Sequence, residues 1–252
     1  MTSINLLAER RRHALANGLV KPGTIARFVE LEERYGRYLY LPLDLPDPKV
    51  DDAFRQWFAE NSQHINKVRA DVAGGYNEVK TFRSIDRAPM NNAIWQVNVR
   101  EDVLTEFPAI GEYLAALPYE GVANWSIWSS NMPVSHHRDE GPWYDLPCAF
   151  RLMLFDTNPA GTLIIRESPV ENNKYAGGVY LPRVEGTRAF AWNNLRVTHA
   201  STHDPAYEKA LLITHAGRLD LDRYEDLMER SLAKYGQHAL VSSHPRSDFS
   251  HI

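Results

Sequence analysis

The chain carries a single cysteine, Cys148, among its 252 residues. One cysteine forms neither an intrachain disulfide nor a CxxC zinc or redox pair. No apolar run approaches the roughly 18 residues that a membrane-spanning helix needs, so no membrane partner is expected. Positive charge is not in excess: 28 basic residues stand against 32 acidic ones, a formal charge of −4. That balance excludes a nucleic-acid partner held by bulk charge. The N-terminal MTSINLLAERRRHAL places its basic residues after a very short apolar stretch, the reverse of a secretory signal, so a cytoplasmic location is expected. Internal repeats and low-complexity segments are lacking. Aromatic residues, at 11%, and histidines, ten in all, are plentiful, and both suit a protein with a pocket. With 44% apolar and 24% charged residues, the chain is globular in composition and long enough to bury a full core.

Periodicity divides the chain into a mainly helical part (1–118), a strand-rich part (119–217), and a closing helix with a tail (218–252). Leu7, Leu15 and Leu19, then Phe28, Leu31, Tyr35 and Tyr38, recur at helical spacing and are interrupted by Pro22-Gly23. The proline-rich 41–48 reads as a connector. Helices are expected from Asp51 to Phe58 and from Asp102 to Leu117, with a strand at Ala93–Val99. After Pro118 the runs Ala123–Asn131, Cys148–Asp156, Thr162–Arg166, Val179–Leu181, Thr187–Trp192, Arg196–Thr202 and Lys209–Ala216 read as strands closed by turn residues. Strands this short and evenly spaced predict one domain, mainly β with flanking helices: a jelly roll, or cupin-like double-stranded β-helix. Arg223–Tyr235 is a closing helix ended by Gly236.

The chemistry concentrates around Ser135-His136-His137-Arg138-Asp139-Glu140. On an extended chain His137 and Asp139 face the same way, and His136 faces the other. An isolated H-x-D means little. Its weight comes from His199, on a later predicted strand, and Lys209, ten residues further on. Two imidazoles and one carboxylate can occupy one face of an octahedral metal, the facial triad that suits non-haem Fe(II) and leaves three positions open. Open positions of that kind accept a bidentate co-substrate and O2. A cation deeper in the barrel then pairs with the far carboxylate of 2-oxoglutarate, and Lys209 is placed to do so. By strand parity Lys209, Leu211, Ile213 and His215 share a face.

The order His137-x-Asp139…His199…Lys209 resembles the Fe(II)/2-oxoglutarate dioxygenase superfamily. GTLIIRE and GTRAFAWNN are similar to that family's central strands and the turn before its distal histidine. The likeness covers roughly Asn124–Gly217. It implies a double-stranded β-helix, Fe(II) on His137, Asp139 and His199, 2-oxoglutarate on Lys209, and succinate and CO2 as co-products. More narrowly, the layout resembles the free amino-acid radical halogenases that chlorinate lysine and their hydroxylase relatives. Their two substrate-contacting acids correspond to Glu120 and Glu140. The halogenases replace the metal carboxylate by glycine; Asp139 is present here, so the resemblance implies hydroxylation of an unactivated C–H in a free amino acid or close derivative. Those lysine enzymes also use a tryptophan near the C-terminus, and none follows Trp192 in this chain.

Further candidates rest on residue type and place. For Asn131, at the end of the strand before the metal motif, the resemblance implies a contact with the co-substrate; Arg151, a charge within an apolar strand, is expected to bind the co-substrate's carboxylate or to sit in a buried pair. Arg83 and Arg218 offer the bidentate fork that grips a substrate carboxylate. His215 would face the same cavity, and Trp143, after Glu140-Gly141-Pro142, would sit on a lid. Trp192 reads as core or pocket wall. A homodimer is compatible with the sequence. Two other readings stay open: the same cofactors with desaturation or cyclisation, and a non-catalytic cupin-like binding protein.

Overall fold

Among the described residues antiparallel pairing forms three sheets, two of which pack face to face. The computed structural model describes Arg12, Ala16 and residues 21–50, 52–61, 63–70, 76–81, 87–90, 94–97, 107–120, 125–130, 134–138, 144–167, 178–202, 204, 206–214 and 218–242. The helices are α1 (Ile25–Tyr35), α2 (Asp52–Asn61), α3 (Pro108–Ala116) and α4 (Leu221–Tyr235). The strands are β1 (Tyr38–Pro42), β2 (Gln63–Ala70), β3 (Tyr76–Thr81), β4 (Arg87–Met90), β5 (Ile94–Val97), β6 (Trp125–Ser130) and β7 (Val134–His137). They continue with β8 (Ala149–Asp156), β9 (Leu163–Glu167), β10 (Val179–Tyr180), β11 (Ala189–Trp192), β12 (Val197–Ser201), β13 (Lys209–Thr214) and β14 (Leu240–Val241).

The larger sheet runs β14-β1-β11-β8-β13-β6-β3-β2, the smaller β10-β9-β12-β7, and β4-β5 stand as a pair. This is the mainly antiparallel β architecture with flanking helices expected for a jelly roll. Among the described residues no helix is long and apolar enough to cross a membrane.

Alternation sets the two faces of the larger sheet. Phe150, Leu152 and Leu154 of β8 and Ala210 and Leu212 of β13 join Phe28, Leu31 and Tyr35 of α1 and Tyr224, Leu227 and Met228 of α4 in the main apolar core. The opposite face carries Tyr40, Ala149, Phe190 and Trp192, which meet Leu163, Ile165 and Val197 of the smaller sheet in a second cluster. The helices cover the first face for local reasons. In α1 the buried Phe28, Leu31, Glu32 and Tyr35 recur every three or four residues. In α4 the Asp220 side chain caps the first turn by accepting the Arg223 N–H, and Lys234 complements the last turn.

A buried polar node locks the strand that follows β11. Arg196 donates from Nε and Nη2 to the two Asp145 carboxylate oxygens at 2.7 and 2.8 Å. Asn193 Nδ2 donates to the same carboxylate at 2.7 Å and to the Gly36 carbonyl at 3.0 Å. The Asp145 N–H donates to Glu32 at 2.9 Å. A Cβ at Gly36 would collide with the Glu32 and Asp145 carbonyl oxygens, so only glycine lets α1 turn into β1 here. Breaking a buried pair of this kind costs about 3–5 kcal/mol.

The segment 1–118, expected to be mainly helical, also contributes β1 to β5. β1 extends the helical run through Tyr38, but its residues 39–42 are all buried, so it lacks the alternation that marks a half-exposed strand. In β2 the aliphatic residues Ile65 and Val68 fall on opposite parities, which hides the period-2 signal. The helix expected from Asp102 begins, within the described residues, at Pro108, where proline's missing N–H is tolerated.

Candidate active site

Neighbouring strands β7 and β12 put His137 opposite His199 in register. Residues opposed in an antiparallel pair share a face. Their ring centroids lie 4.2 Å apart with planes inclined at 54°. Ile165 of β9 opposes His199 from the other side and belongs to the inter-sheet cluster, so both imidazoles look toward the larger sheet. Trp192 of β11 meets them there: its ring stacks on His199 at 4.5 Å and 28°. Two imidazoles bound at right angles to one ion, with a metal–nitrogen distance of about 2.1 Å, have ring centres about 4.6 Å apart. The observed 4.2 Å suits two nitrogen donors to a single ion. Imidazole is a fitting ligand for Fe(II).

Lys209, from the larger sheet, reaches the same interior. Its ammonium donates to Ser201 Oγ at 2.9 Å and to the Thr202 carbonyl at 2.7 Å. Ser201 and His199 are two apart on β12, so they share a face at roughly 7 Å along the strand. The cation is thus held one step along the strand from the histidine pair. Burial pushes the Lys209 pKa down to about 8, against the opposing pull of Asp156. An ammonium has three donors, and the two contacts named go to neutral oxygens. A carboxylate arriving in the interior would supply the charge that burial leaves uncompensated.

Arg151 also faces the inter-sheet space, between Ala149 and Met153. It is 4% exposed. Its Nη1 donates to the Phe150 and Thr214 carbonyls at 2.9 and 3.2 Å, and its guanidinium lies 5.1 Å from the Trp192 ring centre. His136 takes the other face of the smaller sheet, beside Gly178. Its pKa is lowered by burial first, then by the charges of Arg166 and His137.

The structure does not bring Glu120 and Arg218 to the histidines. Glu120 pairs with Lys21 at 2.6 Å and Arg218 at 3.4 Å. Their surface cleft is lined by Phe28 and Leu219, residues of the helix-side core. Asp139, Asn131, Glu140, Trp143, Arg83 and His215 lie outside the described residues. Among the described residues no group of three histidine, cysteine or acidic side chains gathers to hold a metal. Sequence reasoning missed Ser201 as the partner of Lys209, although its parity with His199 was available. It also missed the stack on Trp192, for which a strand sequence carries no signal. Cys148 is buried, and burial raises its thiol pKa well above the ordinary value.

No family model matches the sequence. No curated protein matches it either. Among solved structures, a prolyl-4-hydroxylase of Pseudomonas putida is similar at 13% identity, with 76% of this chain and 99% of that one covered and a TM-score of 0.36. A bsmA homolog from Methylobium petroleophilum is similar at 14% identity, covering 67% of this chain and 83% of the other, with a TM-score of 0.33. Neither likeness assigns the chain to a family.

Proposed function

We propose that the protein is an Fe(II)- and 2-oxoglutarate-dependent oxygenase that hydroxylates an unactivated C–H of a free amino acid or close derivative. The observation that carries this reading is the juxtaposition of His137 and His199, ring centres 4.2 Å apart on the inner face of the smaller sheet, with the Lys209 ammonium fastened two residues along at Ser201. His137, His199 and Asp139 would hold the metal. When bound, Fe(II) with O2 and 2-oxoglutarate supplies the oxidising chemistry, with succinate and CO2 as co-products. The chain's own residues do the rest. Lys209 holds the far carboxylate of the 2-oxo acid, and Ser201 and the Thr202 carbonyl hold Lys209. Leu163, Ile165, Phe190 and Val197 wall the interior with apolar surface, which excludes water and strengthens charge pairing inside. Glu140 is the carboxylate proposed for the substrate's ammonium group.

The test is substrate-dependent succinate formation. The full-length protein is supplied with Fe(II), 2-oxoglutarate and ascorbate and screened against free amino acids, with product mass recorded. A gain of one oxygen atom, lost in Asp139→Ala, is the expected result. Absence of succinate under every condition, or undiminished turnover in Asp139→Ala, would sink the reading. Loss of two hydrogens instead would mark desaturation or cyclisation by the same cofactors.

A further inference from the structure

Three contacts converge on Trp192, which is 1% exposed. Its ring lies nearly parallel to His199, 28° apart at 4.5 Å. Its indole N–H donates to Asn194 Oδ1 at 2.6 Å, a short, buried bond that fixes the ring's rotation. The Arg151 guanidinium sits 5.1 Å from its ring centre. Any buried indole N–H needs an acceptor, so the tether alone marks nothing; what sets the ring apart is its near-parallel stack on an imidazole, where the Phe190 ring beside it is only tilted, at 42°. Asn194 lies in the turn that Asn193 and Arg196 anchor to Asp145. The indole is therefore fastened to a turn held by the buried Asp145 carboxylate.

A metal-binding imidazole has to be held in one ring plane, because the metal–nitrogen bond lies in that plane. Hydrogen bonds to the second ring nitrogen usually help with this, and disturbing such supports typically costs about 10- to 100-fold in metal affinity. A flat indole pressed on the imidazole constrains the same degree of freedom by contact over a whole face. Aromatic pairs in such geometry contribute beyond their buried area. We infer that Trp192 is the positioning residue for His199: tethered by Asn194 and faced by Arg151, it fixes the imidazole plane in which a metal is bound. This rests on the oxygenase reading only in taking His199 as a ligand. It also gives Arg151 a place behind the site rather than at the co-substrate.

The experiment is anaerobic titration of the full-length apoprotein with Co(II), a coloured stand-in for Fe(II), read by visible absorption alongside urea unfolding. Trp192→Leu should weaken Co(II) binding about 10-fold or more and change the band shape. Trp192→Phe, which restores a flat ring, should recover most of the affinity. Tyr40→Leu is the packing control. Tyr40 is buried in the same cluster and pairs with Phe190 rather than His199, so this variant should lose stability and keep its affinity. Wild-type affinity in Trp192→Leu, or equal weakening in Trp192→Leu and Tyr40→Leu, would overturn the proposal. Should Trp192→Leu fail to fold, Asn194→Ala decides: weaker Co(II) binding supports the tether and unchanged binding overturns it. A wild-type protein that binds no Co(II) would instead remove the oxygenase reading, and this inference with it.

Discussion

The two faces of the larger sheet were built for different tasks. Among the described residues the helix-covered face is mainly aliphatic and aromatic. Phe150, Leu152, Leu154 and Leu212 are fully buried there, and it contains the bulk of the core. The face toward the smaller sheet holds Lys209, Arg151 and Trp192, meets the histidine pair, and leaves Met153 and Leu211 only partly buried. Burying charge without full compensation costs stability, so polar groups gathered on one face of a sheet mark where function was favoured over packing. The first face holds most of the core, and the second carries the groups to which the proposed function assigns binding.

Substitutions can break or sharpen that division. The largest expected effect is His199→Ala, which should reduce succinate formation to background while the urea midpoint stays near that of the wild type. Leu152→Ala, on the opposite face, should do the reverse, costing about 2–5 kcal/mol of stability with an unchanged 2-oxoglutarate requirement. A shift in that requirement would mean the faces are coupled. Lys209→Ala should raise the 2-oxoglutarate concentration for half-saturation about 30-fold or more, the effect of truncating one partner of a buried charge pair.

The pH dependence follows from the same cation. Lys209 must be charged to bind a carboxylate, and its pKa is lowered to about 8. Binding measured by calorimetry should therefore hold from neutral pH up to about 8 and weaken as pH rises through it. Stability responds with the opposite sign. The folded pKa lies below the unfolded one, so the cost of the buried charge is present below pH 8 and fades as pH climbs toward the unfolded value. The smallest effect is expected at Glu120→Gln. Its carboxylate serves Lys21 and Arg218 in an exposed cleft, so the amino-acid requirement should not move. A rise there would bring the cleft into the site.

How much of this could be read beforehand depends on burial pattern. β13 alternates half-buried and buried along KALLIT; its short apolar run marked it as a strand, and counting by twos from Lys209 gave its inner face. β1 is buried on both faces and lost its period, so Tyr38 was absorbed into the preceding helix. The meeting of His137 with His199 was foreseeable from the ligand-like order of the motif, although the strand that carries His137 was not expected and its pairing with β12 came only from the structure. Ser201 follows from His199 by parity once the strand is known. The Trp192 stack did not follow, because a buried aromatic on a strand has the same sequence signature whether it packs on leucine or on imidazole. Glu120 was assigned by its position along the chain, and only the packing of α1 against the start of α4 reveals that cations of the same chain already neutralise it.

β12 bears both halves of the proposed chemistry, His199 for the metal and Ser201 for the lysine. Slipping that strand by one residue would turn both outward together and bring Thr198 and Ala200 in. Such a chain could remain compact, keep its secondary structure, and be wholly inert. Activity would then report alignment of a single strand more sensitively than any measure of folding.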